Sequence, residues 1–156
     1  MLLLKNKKAS FDYLLEQKYI AGIVLSGAEV KSLRLKHGSL TGSYIKSLNQ
    51  GKKHPELFLV NAQINRYRFA GQNQDYDPKQ TRKLLLKRKE IEELVGASEQ
   101  KGRSIVPLAF VLKHNKIKLE LALGRGKRKF EKREDLKKKD LQRELAKNLK
   151  RSQLKF

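Results

Sequence analysis

From Lys116 to Leu123 the chain alternates, with Ile117, Leu119, Leu121 and Leu123 apolar and Lys118, Glu120 and Ala122 between them. A period of two sends successive side chains to opposite faces of an extended backbone, so this segment is a strand with one face in a core. The apolar run 105–112 precedes it across His114-Asn115, and the two form a hairpin. A second hairpin comes from residues 44–48 and 56–60, which flank the turn-rich, basic stretch Asn49-Gln50-Gly51-Lys52-Lys53-His54-Pro55. Residues 11–25 are rich in aromatic and β-branched side chains and give a further strand, with Gly22 as a bulge or a point of close approach.

Two helices interrupt the strands. The first is expected over 28–36, stopping at His37-Gly38. The second is expected to start at Asp77-Pro78, with Asp77 as cap and Pro78 in the first turn. Leu84, Leu85, Ile91, Leu94 and Val95 form its apolar face, and Gly96 closes it. Several short antiparallel strands with few helices predict a mainly β (α+β) fold, a small antiparallel β-barrel of the oligonucleotide-binding type with two or three packed helices. Residues 9–125 make up this body, and 1–8 are a basic N-terminal segment.

The remaining 31 residues, 126–156, have a different character. They hold 13 Lys+Arg against 5 Asp+Glu, a net charge of +8. Their large apolar side chains are Phe130, Leu136, Leu141, Leu145, Leu149, Leu154 and Phe156. That is too little apolar surface to offset the entropy of ordering, so the tail is expected to be disordered when free. Leu141, Leu145 and Leu149 recur every four residues, with Glu144 near Lys147, and would line one stripe of a basic helix against a partner.

The whole chain carries 37 Lys+Arg and 16 Asp+Glu, a formal +21 over 156 residues, which leaves +13 for residues 1–125. A surplus of that size calls for a polyanion, and nucleic acid is the leading candidate. The absence of cysteine excludes disulfides, a thiolate zinc site and a Cys nucleophile. Met1-Leu2-Leu3-Leu4-Lys5 is too short for a signal peptide, and the longest apolar run is about half of a bilayer span, so a soluble, cytoplasmic protein is expected.

Enzyme chemistry finds little support. His37, His54 and His114 sit in turns beside Gly, Pro or Asn and do not pair at metal-ligand spacing. Asp75-x-Asp77 could hint at Mg²⁺, but no Glu follows at calcium-loop spacing, and capping by Asp77 accounts for it. Gly124-Arg125-Gly126 lacks the third glycine of a dinucleotide loop, and no Walker loop is present. No cofactor or metal site is expected.

Three basic groups remain. Lys5, Lys7 and Lys8 precede the first strand. In Glu29-Val30-Lys31-Ser32-Leu33-Arg34, helical spacing puts Val30 and Leu33 on the buried side and Lys31 and Arg34 on another. In Gly126-Lys127-Arg128-Lys129-Phe130-Glu131-Lys132-Arg133 an aromatic sits within a cationic run. There Phe130 either stacks on a base while its neighbours hold phosphates, or closes the bottom of the barrel.

With these motifs in view, the chain resembles the SmpB (small protein B) family, the bacterial partners of transfer-messenger RNA in ribosome rescue. The resemblance runs from Asn6 to about Asp140. It is carried by Asn6-Lys7-Lys8-Ala9, Ala21-Gly22-Ile23-Val24-Leu25 and Gly27-Ala28-Glu29-Val30-Lys31-Ser32-Leu33-Arg34. Asp77-Pro78, Arg82-Lys83-Leu84-Leu85-Leu86, Glu90-Ile91, Gly102, Val106-Pro107-Leu108, Gly126-Lys127-Arg128 and Lys132-Arg133-Glu134 complete it.

The resemblance implies a barrel that grips the tRNA-like domain of transfer-messenger RNA, with alanyl-tRNA synthetase and elongation factor Tu as indirect partners through that RNA. It implies a tail that enters the decoding centre and empty mRNA channel of a stalled ribosome and turns helical there. Leu85 and Lys118 fall at RNA-contacting positions, and Lys7, Lys8, Lys31, Arg34 and Arg82 join them as expected barrel contacts. Gly126, Lys127, Arg128, Phe130, Lys132 and Arg133 are the expected decoding-centre residues.

Four positions depart from the family pattern: Phe11 for a usual His, Ile20 for a common Glu, Gln80 for a common Arg and Glu131 for a usual Asp. Two other readings compete. One is a ribosomal protein that threads its basic tail into ribosomal RNA, and the other is a nuclease using Asp75 and Asp77 with Mg²⁺.

Overall fold

The computed structural model describes residues 1–71 and 75–154. It divides into two compact units, Met1–Gly126 and Lys127–Phe156. In chain order the first unit contains β1 (Leu2–Lys5), α1 (Lys7–Asp12), β2 (Tyr13–Ile23), α2 (Gly27–Arg34), β3 (Gly38–Ser39), β4 (Tyr44–Leu48) and β5 (Glu56–Val60). There follow β6 (Gln63–Ile64), β7 (Arg82–Leu85), α3 (Arg88–Ser98), β8 (Arg103–Lys113) and β9 (Lys116–Gly126).

Both expected hairpins form. His114 and Asn115 have φ of 50° and 60°, the left-handed pair that a two-residue turn needs, and Lys113 faces Lys116 across it. On β9 the odd positions Ile117, Leu119, Leu121 and Leu123 are buried, as the alternation requires. They pack with Phe110, Leu57, Leu59, Leu84, Leu33 and Leu94 in one main core.

Seven strands pair antiparallel in the order β1-β8-β9-β2-β7-β5-β4, and β3 pairs with β6 as a separate ribbon. The architecture is therefore mainly β with helices packed on it. The expected closed barrel is not what the ladder gives. Among the described residues its edges, β1 and β4, are not hydrogen bonded to each other: β1 is four residues long and pairs only with β8, while β4 pairs only with β5.

Three differences from the sequence reading shape the fold. Within the basic N-terminal segment 1–8, β1 is an edge strand, and Asn6 ties its end to a bulge in β8. The bulge leaves Leu108 unpaired between Pro107 and Ala109, and Asn6 donates to Leu108 O at 2.7 Å and to Pro107 O at 2.9 Å. Proline lacks the ladder's N–H, which fits its place at a bulge. Next, Phe11 and Asp12 belong to α1 rather than to the following strand, so the extended segment begins at Tyr13.

The third difference is the largest. No helix starts at Asp77-Pro78; Asp77 Oδ1 accepts from the Lys79 N–H at 2.9 Å in a turn, and 82–85 is a strand. Arg82 and Leu84 point inward and Lys83 and Leu85 outward, a period of two that the apolar trio Leu84-Leu85-Leu86 conceals in the sequence. Helix α3 begins only at Arg88, runs through Gly96 and ends at Ser98.

The second unit holds α4 (Lys129–Gln153), on which no residue is buried. Leu141, Leu145 and Leu149 lie on this helix and are exposed. Phe156, grouped with them above, lies outside the described residues.

Candidate nucleic-acid interface

The outer face of the sheet carries the strongest candidate site. Gly22 on β2 pairs with Leu85 on β7 and with Lys118 on β9, so the three positions form one cross-strand row. Because directly paired residues face the same way, Leu85 and Lys118 flank a position with no side chain. A Cβ at Gly22 would sit 3.2 Å from Leu85 Cβ and 3.6 Å from Leu85 O. The missing side chain opens a groove of about 390 Å³ between Leu85, Lys118, Val30, Asn115 and Lys116. Leu85 is 52% exposed, an apolar side chain on a strand that otherwise buries its leucine.

Helix α2 forms one wall. Ser26 Oγ accepts from the Glu29 N–H at 3.2 Å while Glu29 Oε2 accepts from the Ser26 N–H at 3.0 Å, a capping box that fixes where the helix starts. The Ser26-x-x-Glu29 spacing marks that start in the sequence, so the helix begins at Gly27, one position ahead of the expected Ala28. Arg34, in the last turn, donates to Asn115 Oδ1 at 2.9 Å, which holds its guanidinium beside the β8–β9 turn and the neighbouring Lys116. An apolar Leu85, a cationic Lys118, and Arg34 and Lys116 at the rim can seat a sugar or base against the leucine with phosphates on the cations.

The other expected barrel residues lie elsewhere. Lys31 is exposed on α2, with Nζ 5.5 Å from the Tyr67 ring centroid. Lys7 and Lys8 are exposed on α1, and Lys8 lines a different groove of about 400 Å³ with Asn6, Tyr44 and Ser104.

Arg82 is a correction to the expected contact set: it is 3% exposed. Its Nε and a terminal nitrogen donate to Glu29 Oε1 at 2.9 and 2.7 Å, and the rest of the guanidinium donates to the carbonyls of Ala62, Gln80 and Pro78 at 2.8, 3.0 and 3.1 Å. A guanidinium with five protein hydrogen bonds has no donor left for phosphate. Its basic neighbours Lys83, Lys87 and Arg88 masked this in the sequence, where nothing pairs Arg82 with a residue 53 positions away.

Gln80, one of the four departures, donates to the same Glu29 oxygen at 2.7 Å, and the Tyr76 hydroxyl lies 3.3 Å from it. Burial alone would raise the Glu29 carboxyl, but hydrogen bonds from Arg82, the Ser26 N–H and Gln80 outweigh it and hold the carboxyl below the ordinary glutamate value. Ile20, another departure, is exposed beside the groove, and its cross-strand partner on β9 is Glu120. An acidic side chain is thus present on this face from the neighbouring strand.

In the second unit, Lys127 bridges Asp135 at 2.5 Å, and that hydrogen bond holds the Asp135 carboxyl below its ordinary value. Glu131 Oε2 accepts from the Arg128 N–H at 3.2 Å at the start of α4. Phe130, Lys132 and Arg133 occupy its first two turns, and Phe130 is 58% exposed. Gly126 is the last residue of β9. Among the described residues no group of three or more His, Cys, Asp or Glu could hold a metal ion, and no helix is long and apolar enough to cross a membrane.

A family model described as SmpB protein matches residues 3–151. The chain belongs to the SmpB family. Among SmpB relatives, the SsrA-binding protein of Bacillus subtilis (strain 168) is 44% identical over 155 residues, covering 99% of this chain and 96% of that one. The SsrA-binding protein of Geobacter metallireducens is 45% identical over 148 residues, covering 95% and 93%. The fold is likewise similar to a chain in the solved structure "tmRNA-SmpB: a journey to the center of the bacterial ribosome", with a TM-score of 0.65 and 39% identity over 83% of this chain and 87% of the other.

Proposed function

We propose that this chain is an RNA-binding adaptor of trans-translation: it binds the tRNA-like domain of transfer-messenger RNA and brings it to stalled ribosomes for rescue and tagging of incomplete proteins. One observation carries the reading. Leu85 and Lys118, far apart in sequence, flank the Gly22 gap in one groove whose rim is cationic.

The sheet, an open version of the oligonucleotide-binding type, grips the RNA through this face. Folded RNA is recognised largely by shape and backbone, which suits a groove with one apolar wall and spaced cations. Lys7, Lys8 and Lys31 add phosphate contacts outside the groove. The chain is not itself an enzyme and works in the cytoplasm; alanyl-tRNA synthetase and elongation factor Tu meet it through the RNA.

The basic tail enters the decoding centre and the empty mRNA channel of the small subunit. Its helix lies against ribosomal RNA, with Phe130 stacking and Lys127, Arg128, Lys132 and Arg133 holding phosphates. The deciding experiment is to capture the protein from cells and sequence the bound RNA. Transfer-messenger RNA dominates if the reading holds; ribosomal RNA alone would make the chain a ribosomal protein instead.

A further inference from the structure

A short loop on the far side of α2 has no part in the groove. In Asn65-Arg66-Tyr67-Arg68-Phe69-Ala70-Gly71 two arginines interleave with two aromatics, and no carboxylate is present. The Ala70 N–H donates to Tyr67 O at 3.1 Å, so Arg68 and Phe69 form the corner of a tight turn. Arg66 closes the loop from inside by donating to the carbonyls of Ala70, at 3.2 Å, and Gly71.

That geometry holds Phe69 outward, 76% exposed. A single exposed aromatic is ordinary on a protein surface. Its surroundings here are not. The Tyr67 and Phe69 rings meet edge to face, with centroids 5.7 Å apart and planes at 66°, so Tyr67 buttresses Phe69. The Arg68 guanidinium lies 5.8 Å from the Phe69 centroid, and Lys31 Nζ lies 5.5 Å from that of Tyr67. Residues Arg66 to Gly71 line a shallow depression of about 390 Å³.

We infer that this loop is a stacking platform for an unpaired RNA base, with Phe69 as the stacking ring and Arg68 and Lys31 as contacts for the flanking phosphates. An aromatic face framed by cations binds a base through stacking and its phosphates through charge, whatever the base identity. Lys31 links the platform to the groove. It follows Val30, which lines the Leu85 groove, on the same helix, so α2 separates two stations along one RNA path. The inference takes from the proposed function only that the partner is RNA, and it adds a site that accepts a single-stranded segment rather than a folded one.

The test compares the full chain with Phe69→Ala and Phe69→Trp, using oligoadenylate of about ten nucleotides and an abasic ribose-phosphate oligomer of equal length. Unmodified protein binds oligoadenylate more tightly than the abasic oligomer, and Phe69→Ala lowers oligoadenylate affinity roughly tenfold while leaving abasic binding unchanged. The chain has no tryptophan of its own, so the indole of the Phe69→Trp variant reports alone. Its emission is quenched by oligoadenylate and not by the abasic oligomer.

Equal oligoadenylate affinity for Phe69→Ala and the unmodified chain overturns the inference, as does unchanged indole emission at saturation in Phe69→Trp. So does an acidic peptide of matching charge that competes equally well against both proteins, since the contact would then be charge alone. Loss of tRNA-like RNA binding in Leu85→Asp alongside intact oligoadenylate binding in Phe69→Ala would remove the platform and leave the proposed function standing.

Discussion

Glu29 accepts from Arg82 twice through one oxygen, Oε1, at 2.7 and 2.9 Å, and both side chains are 2% exposed. Its other oxygen caps α2 at Ser26. One carboxylate therefore ties the start of α2 to β7, the strand on which Leu85 stands three residues after Arg82. The wall and the floor of the groove are fixed relative to each other by a buried ion pair rather than by apolar packing alone. Truncating either partner would leave the other charge in the core without a counterion.

Arg82→Met is therefore expected to destabilise the fold by about 3–5 kcal/mol, the usual cost of an orphaned buried charge. The urea midpoint should fall with the slope unchanged. Arg82→Lys should recover little, because an ammonium cannot reproduce the fork on Oε1 or reach three carbonyls at once. If Arg82→Met instead kept its midpoint and lost only RNA affinity, the side chain would be a surface contact after all.

The same pair sets a pH dependence. The Glu29 carboxyl is held below its ordinary value in the folded chain, so folding favours the charged form. Its contribution is complete above the unfolded glutamate value of about 4.3 and is lost as pH falls through the lower folded value. Glu29→Gln should be less stable than the unmodified chain at neutral pH. The gap in melting temperature should narrow as pH drops from about 5 to 3, and a gap that widened on acidification would reverse the assigned sign.

Leu85 and Lys118 should separate by salt. Lys118→Ala removes the phosphate contact proposed for this lysine and should lower the slope of log affinity against log salt by about 1, with stability unchanged. Leu85→Asp puts a carboxylate on the apolar wall of the groove proposed to seat RNA and should weaken tRNA-like RNA at every salt concentration. The exposed site tolerates the change in the free protein, so melting temperature should hold. Filter binding over a salt series reads both, and an unrelated hairpin of similar size serves as the specificity control.

Gly22→Val tests the gap between them. The new side chain begins 3.2 Å from Leu85 Cβ, inside ordinary contact distance, and its branches would fill the groove. Overpacking of this kind costs about 1–3 kcal/mol. RNA affinity should fall by more than that instability explains at temperatures where the variant stays folded, as circular dichroism would verify. Unchanged affinity would place the RNA away from this row.

The strands that alternate were readable in advance. Lys116 to Leu123 shows its period openly, and His114-Asn115 supplies residues that tolerate left-handed backbone. Residues 82–85 were not, because Leu84-Leu85-Leu86 fits a helix face as well as a strand, and the Asp77-Pro78 cap chemistry favours a helix. Only pairing of β7 with β2 and β5 decides it, and that is a long-range fact. Arg82 has a related reason: the Arg82-Lys83 run shows a cation but not the carboxylate, Glu29, that meets it. Gly22 stood out as a close-approach point, while its partners Leu85 and Lys118 came from resemblance to SmpB proteins rather than from spacing. The aromatic loop at Tyr67 and Phe69 had a signal, the Arg-Tyr-Arg-Phe alternation, which periodicity arguments overlook because it belongs to a turn.

The tail gives the last prediction. A chain ending at Gly126 keeps all of the sheet and loses a helix that buries none of its own residues. Binding to tRNA-like RNA should persist with a smaller salt slope, since the removed segment carries +8. Tagging of stalled chains in a reconstituted translation system should disappear. Charge and shape are then separated by Phe130→Ala, which keeps every cation. Phe130 is 58% exposed, so removing its ring costs the free protein little, and a fall in tagging with intact RNA binding would assign the ring to stacking on the ribosome. Full tagging by the Gly126-terminated chain would reduce the tail to an electrostatic tether.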